Sequence, residues 1–184
     1  MNYSSIELFD ICNGNGIRVS LFVSGCKFHC KGCFNEAAQQ FNNGKLYTEE
    51  EHQLILEKLK DPNYQGLSIL GGDPLWQDQV GLTDLTILVK EVHKMGKDVW
   101  LWTGFTWEEI FESRSTTIDA LRQNLIRNCD VVIDGRFEED KKDLSLVWKG
   151  SSNQRIIDVK KSFTTRIKNK KVHIIEPYIC EEDY

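Results

Sequence analysis

Ser24-Gly25-Cys26-Lys27-Phe28-His29-Cys30-Lys31-Gly32-Cys33-Phe34-Asn35 places three cysteines at C-x3-C-x2-C, and half of the chain's six cysteines lie in this one stretch. It begins where Ile17-Arg18-Val19-Ser20-Leu21-Phe22-Val23 ends. That β-branched and aromatic run predicts a strand buried on at least one face. Thiolate is a soft, anionic ligand, and this spacing lets three sulfurs converge from one loop onto a metal or an iron-sulfur cluster. A structural zinc site takes four protein ligands, and an electron-transfer cluster usually takes four cysteines. Three, with no second pair, point to a centre with one open position.

Outward from the loop, strand-like and helix-like runs alternate. Thr48-Glu49-Glu50-Glu51 is a capping box, and Leu54, Ile55, Leu56 and Leu59 supply an apolar side, which predicts a helix to about Lys60 that Asp61-Pro62 stops. Leu67-Ser68-Ile69-Leu70 predicts a strand, Leu85, Leu88, Val89 and Val92 a helix closed at Gly96, and Asp98-Val99-Trp100-Leu101-Trp102 another strand. Thr106-Trp107-Glu108-Glu109 opens a capped helix, Ile118 to Arg127 gives a further one, and Val131-Val132-Ile133 is a strand again. Strands alternating with helices argue for parallel β/α units, whose ligands gather at the carboxyl ends of the strands. The cysteine loop, Gly71-Gly72-Asp73-Pro74, Trp102-Thr103-Gly104 and Asp134-Gly135-Arg136 each follow such a strand. Four motif loops on one rim, from too few units to close an eightfold barrel, predict an α/β fold of parallel strands in an open, partial (β/α) barrel.

After Phe137 the pattern weakens. Glu138-Glu139-Asp140-Lys141-Lys142-Asp143 is a charged connector, and Arg155-Ile156-Ile157-Asp158-Val159 and Lys171-Val172-His173-Ile174-Ile175 are strand candidates. The basic stretch from Lys149 to Lys171 reads as a solvated face. At 184 residues the chain suits a single domain, 1–184, with 155–184 as a C-terminal extension of no assigned role. Gly14-Asn15-Gly16 lacks the third glycine of a dinucleotide fingerprint. A net charge of −5 argues against a nucleic-acid partner. The absence of a basic, apolar leader or of a run of about 18 apolar residues argues against export and against a membrane. The expected place is therefore the cytoplasm, where clustered thiols stay reduced and more often bind metal than pair.

Taken together, Cys26 to Asn35, Gly71-Gly72-Asp73-Pro74-Leu75, Trp102-Thr103-Gly104, Asp134-Gly135-Arg136-Phe137 and Trp148-Lys149-Gly150-Ser151-Ser152-Asn153-Gln154 resemble, in order, the activating proteins of the anaerobic ribonucleoside-triphosphate reductases. That family lies within the radical S-adenosylmethionine (SAM) enzymes. The likeness runs from about Asp10 to about Arg155. It implies a barrel of radical SAM type and a [4Fe-4S] cluster whose three irons are held by Cys26, Cys30 and Cys33, with SAM chelating the fourth. It implies that Gly71, Gly72 and Asp73 meet the amino end of SAM, Gly72 foremost, with Asp73 adding attraction or capping the next segment. It also implies that Gly32, Cys33 and Phe34 pack against adenine, although the general pattern has an aromatic residue where this chain has Gly32. Asn15 stands where the family usually has proline. The implied reaction takes one electron from reduced flavodoxin or a similar donor, cleaves SAM and leaves a glycyl radical on the reductase.

Several readings stay open. The runner-up enzyme activates another glycyl-radical enzyme such as pyruvate formate-lyase. The non-enzyme alternative is a zinc-stabilised binding module whose fourth ligand is His29, Cys12, Cys129 or Cys180. Phe28 and Phe34 are expected to shield the cluster. Asp134 and Arg136 either grip the SAM ribose or the partner chain or form an exposed turn. Trp148 to Gln154 has no assigned role, and Cys12, Cys129 and Cys180 read as buried or idle thiols.

Overall fold

Period-two and period-3.6 runs take turns along the chain, and the computed structural model converts each into the element it encodes over the residues it describes, 1–112, 116–169 and 172–176. The strands are β1 (Asn2–Asp10), β2 (Ile17–Val23), β3 (Lys45–Leu46), β4 (Tyr64–Gly71), β5 (Asp98–Trp102), β6 (Val131–Asp134) and β7 (Arg155–Asp158). The helices are α1 (Glu49–Leu59), α2 (Gln79–Lys94), α3 (Trp107–Glu112), α4 (Thr117–Arg127) and α5 (Val159–Asn169). Thr48 and Glu51 close the expected capping box of α1, and Thr106 and Glu109 make the same reciprocal bonds ahead of α3. Beyond α2, Gly96 takes a left-handed φ of +74° that a side chain would resist.

All seven strands form one open sheet in the order β3-β1-β2-β4-β5-β6-β7. β2, β4, β5 and β6 run parallel, as expected for β/α units. The expectation of parallel strands throughout is corrected at both edges, where β1, β3 and β7 are antiparallel. The chain also begins one strand earlier than Ile17: β1 pairs along β2. Its signal was the alternation Ile6, Leu8, Asp10, diluted by serines. β7 follows β6 through a long loop with no crossover helix, and a return of that kind is free to run antiparallel. Of the second late strand candidate only a single bridge, Ile174 to Ile157, is formed, and Lys171 lies outside the described residues.

The alternation of side chains separates two faces. Val19, Leu21, Leu67, Ile69, Val99, Leu101 and Val132 lie in one core with Ile55 and Leu59 of α1, Leu82, Leu85, Leu88, Val89 and Val92 of α2, and Leu125 and Ile126 of α4. At about 2 kcal/mol per fully buried large aliphatic side chain, this layer is what holds the helices to the sheet. Leu54, grouped with the apolar side of α1, is exposed instead. The opposite face carries Arg18, which is fully buried and donates to Ser68 Oγ at 2.7 Å while pairing with Asp98 at 2.6 Å. Next to it, Trp100, Ile133, Ile156 and Trp148 make a second, smaller cluster. No described helix is long and apolar enough to cross a membrane.

Candidate metal centre and its rim

The four motif loops do leave the carboxyl ends of β2, β4, β5 and β6, and backbone bonds tie them together. Gly72 N–H donates to Val23 O at 2.7 Å and Asp73 N–H to Gly25 O at 2.9 Å, so the loop after β4 is locked to the start of the cysteine loop. The latter is held again by Gly25 N–H to Ala38 O (2.7 Å) and Cys26 N–H to Gln39 O (3.0 Å). Gly25 has a φ of +103°, and a Cβ there would lie 2.3 Å from the Phe41 ring. Thr103 N–H reaches Ile133 O and Gly135 N–H reaches Phe105 O, which carries the linkage to the loops after β5 and β6.

Asp73 is the side chain that fastens this rim. It is 1% exposed and accepts from Leu75 N–H (2.8 Å), Gly104 N–H (2.7 Å) and the Thr103 hydroxyl (3.0 Å). Of its two expected roles the structure shows the cap: the carboxylate is turned into the protein and spent on the β5 loop. Burial pushes its pKa up to about 6 against the pull of those donors. Because the folded value lies above the ordinary one, this group adds stability as pH falls through 6, and the contribution is complete below the unfolded value of about 4. Asp73→Ala strands all three donors in a dry site and is expected to cost about 2–4 kcal/mol, read as a lowered melting temperature. Unchanged melting would mean that the bonds do not hold the rim.

Cys26, Cys30 and Cys33 are free and half-buried. Cys33 N–H donates to Cys30 O at 3.2 Å, the turn that brings the last two together. Burial raises the Cys26 thiol to about 11, with the other two cysteines adding their charge. Burial also raises Cys30, opposed by the Phe137 N–H and by Arg136. Both thiols therefore keep their protons until a metal displaces them. Among the described residues no three His, Cys, Asp or Glu side chains meet at the distance of a single metal ion. A [4Fe-4S] cluster does not require that, since each thiolate binds a different iron. Cys12 precedes the amino end of β2 and Cys129 the amino end of β6, a strand's length from the cysteine loop. Cys129 is buried, with its thiol on Leu125 O. His29 Nδ1 is engaged with Gln39 Oε1 at 2.8 Å. Cys180 lies outside the described residues. The donor set on the rim thus fits a three-thiolate cluster better than a four-ligand zinc knot.

The aromatic surroundings divide. Phe28 packs edge-on against Trp76 (5.5 Å) and Phe105 (4.8 Å), with the Arg136 guanidinium 4.4 Å from its ring centre. Phe34 is fully exposed, so its expected shielding role is corrected: its loop carries it outward past Cys33, and no neighbouring element covers it. Gly32 has a left-handed φ of +69°, and a Cβ there would lie 2.8 Å from the Glu139 carboxylate. That accounts for glycine at a position where an aromatic ring is common. Trp76 Nε1 is buried without a partner among the described residues, a donor left free beside the cysteine loop.

Asp134 is neither an exposed turn nor a ligand grip. It is 1% exposed, accepts from Trp107 N–H at 2.7 Å and is paired with Arg155. Arg136 is half exposed and held bidentately by Glu109 at 3.1 and 3.0 Å. The stretch without a role turns out to prop this loop. Gln154 Nε2 donates to Gly135 O, Asn153 Nδ2 to Arg136 O, and Trp148 O accepts from Trp102 Nε1. Glu109 was legible only as the capping-box acid of α3 and Trp76 carried no motif; their placement beside Arg136 and Phe28 shows only in space.

Residues 12–157 match the family model described as a 4Fe-4S single cluster domain. A protein of Pasteurella multocida named anaerobic ribonucleoside-triphosphate reductase-activating protein is 43% identical over 160 residues, 85% of this chain and 96% of its own. Proteins of the same name from Escherichia coli and Vibrio cholerae are each 39% identical, over 84% and 85% of this chain and 96% and 97% of their own lengths.

Proposed function

Because the chain belongs to the family of anaerobic ribonucleoside-triphosphate reductase-activating proteins, we infer that it activates such a reductase, with a [4Fe-4S] cluster held by Cys26, Cys30 and Cys33. The observation that carries the reading is a rim with three thiols, no fourth thiol among its described residues, and the Gly71-Gly72-Asp73 loop bonded directly to the cysteine loop. An open iron beside backbone carbonyls suits the carboxylate and ammonium of an amino acid, and SAM is the cofactor that would take it. A cluster held there by Cys26, Cys30 and Cys33 would supply the one-electron chemistry for reductive cleavage of SAM, and with it the hydrogen abstraction that leaves a radical on a glycine of the partner. The parallel strands β2, β4, β5 and β6 with their shared rim support a partial barrel of radical SAM type. Reduced flavodoxin or a similar one-electron carrier would be the donor.

The chain's own residues do the rest. Phe28, Trp76 and Phe105 form a wall that keeps water from one side of the cysteine loop. Glu109 aims Arg136 over Phe28, which places a fixed cation where its field is felt at Cys30. A nearby cation favours the electron-richer state of a cluster. Arg136→Gln is therefore expected to retain iron but shift the reduction midpoint to more negative potential, an effect on the order of 1 kcal/mol. Spectroelectrochemical titration checks this, and an unchanged midpoint removes Arg136 from the electrostatics of the site.

The test of the function is an anaerobic mixture of this protein, SAM, reductant and the ribonucleotide reductase, followed by electron paramagnetic resonance. A glycyl-radical signal is expected only with all components present. A signal with pyruvate formate-lyase but not with the reductase would change the partner. A colourless protein carrying one tight zinc would end the enzyme reading.

A further inference from the structure

The loop of residues 135–154 leaves the carboxyl end of β6 and returns to the first residue of β7, which pairs with Asp134, so both of its feet stand on the rim that carries the cysteine loop. Its middle is a finger, Lys142 to Ser151, closed at the base by a bridge between those two residues and by Ser152 N–H to Lys141 O at 2.9 Å. We propose that this finger is the element by which the reductase is held over the rim, with Leu144 as the side chain that enters an apolar pocket on the partner. The inference rests on the reading of the chain as the activator of that reductase.

The finger has the wrong sequence for a merely solvated turn. Leu144, Leu146, Val147 and Trp148 crowd its tip and return, none of the four is buried, and Leu144 is 90% exposed. A single exposed leucine is ordinary, but an apolar run presented together on a surface marks a contact site. Nor is the segment slack. At the tip, Asp143 Oδ1 accepts from Ser145 N–H at 2.8 Å and from the Ser145 hydroxyl at 2.6 Å. At the base, the fully buried Ser151 accepts from Glu138 N–H at 3.2 Å. On the return, Trp148 holds a φ of +61°, a left-handed conformation that strains a tryptophan. It is kept there by its ring, edge-on to Trp100 at 4.8 Å, and by its carbonyl, which accepts from Trp102 Nε1 at 2.8 Å. The leucine is thus fixed before any partner arrives, which lowers the entropy lost on binding.

The position of the finger names its occupant. Glu139, just before it, pairs with Lys31 of the cysteine loop at 2.9 Å, and the Phe137 N–H meets the Cys30 sulfur. A radical formed at this rim takes hydrogen from a glycine only if the partner's backbone is brought into the rim, and a chain entering there passes the finger. An electron carrier is under no such constraint, since an electron crosses gaps that a hydrogen atom does not. The finger also lies inside the span that matches the family model, residues 12–157, and not in the C-terminal segment outside it. A leucine drawn from water into a pocket contributes the burial of its whole side chain. A carboxylate in its place would be stranded there without a partner.

The test uses the full-length protein, reconstituted anaerobically with iron and sulfide, and the intact reductase. Leu144→Glu is expected to raise the dissociation constant of their complex, read by biolayer interferometry, about thirtyfold, and Leu144→Met to keep it within about threefold. Glycyl-radical yield with Leu144→Glu should fall at low reductase concentration and recover at high concentration. Its melting temperature, iron content and dithionite-driven SAM cleavage in the absence of reductase should match the wild type, because the side chain is exposed. Leu46→Glu is the control: Leu46 is 62% exposed on the edge strand β3, at the other side of the sheet, and the complex should stay within about twofold. The proposal is overturned if Leu144→Glu binds the reductase like the wild type, if Leu46→Glu weakens the complex as much, or if the loss comes with lowered melting or iron content, which would make the loop structural. It is equally overturned if Leu144→Glu leaves that complex intact while separating a dimer of the protein in sedimentation or slowing reduction by flavodoxin, since the occupant is then a second copy or the electron donor. A wild-type protein that neither binds the reductase nor forms the radical fails the activator reading itself, whereas a wild type that does both beside an unaffected Leu144→Glu fails only the finger.

Discussion

Cys30→Ala protein, reconstituted anaerobically with iron and sulfide, is expected to lose the SAM-cleaving cluster and, with it, glycyl-radical formation down to background. The same holds for Cys26→Ala and Cys33→Ala, because each thiolate would hold an iron that no other described side chain on the rim can take. His29 is turned to Gln39, and Cys12 and Cys129 stand at the other end of the strands. The fold should survive, since the three thiols are only half-buried and the Cys30 sulfur is met only by the backbone N–H groups of Phe137 and of Cys30 itself. Cys129→Ala is the contrasting variant: it removes a buried thiol and its bond to Leu125 O, costs on the order of 1 kcal/mol of stability, and leaves the cluster intact. Iron and sulfide content, visible absorbance and circular dichroism distinguish loss of the cluster from loss of the fold. Wild-type cluster content and SAM cleavage in Cys30→Ala would sink the assignment.

Gly72→Val is expected to damage the rim itself. From sequence alone a bulky residue here should only hold the amino acid end of SAM away from the backbone. In the structure a Cβ on Gly72 would lie 2.7 Å from Ala38 O, 2.7 Å from Gly25 O and 2.8 Å from Gly25 N. All three are backbone atoms, and all three take part in the bonds that anchor the cysteine loop, Gly25 N–H to Ala38 O and Asp73 N–H to Gly25 O. Relief requires those bonds to part, which at typical overpacking and hydrogen-bond costs amounts to about 2–4 kcal/mol. The expected result is a lowered melting temperature together with reduced iron content. If instead Gly72→Val melts and loads iron like the wild type and loses only SAM affinity, the glycine serves the cofactor and not the packing of the two loops.

These two variants divide along the same line as the reading of the chain. The cysteine spacing, the β/α alternation and the positions of the four motif loops are local patterns. Helical and strand periodicities are set by how each residue meets its near neighbours, so they are legible before any tertiary contact is known. For the same reason the α1 capping box, the Gly96 stop and the strand before each motif could be read from consecutive residues. β1 escaped because its alternation is interrupted by Ser4 and Ser5, and a strand paired along its far side only by the two-residue β3 is incompletely buried and needs fewer apolar residues to declare it. The antiparallel course of β7 escaped because direction is a property of the return path, which no run of residues encodes.

By itself, then, the sequence of this protein determined the three thiols, the parallel centre of its sheet and the order in which its loops would meet one rim, since all of these follow from spacing and period along the chain. Only the tertiary structure decided what the remaining polar residues do. Asp73 and Asp134 look alike as acidic residues after strands, yet each is 1% exposed and committed to backbone donors of a neighbouring loop. Phe28 and Phe34 look alike as aromatics beside cysteines, yet one is packed against Trp76 and Phe105 and the other stands in solvent. Gln154, without a readable role, holds the loop after β6 from nineteen residues away. A polar or aromatic side chain takes its function from the partner it reaches across the fold. That partner is set by long-range packing, which spacing along the chain does not contain.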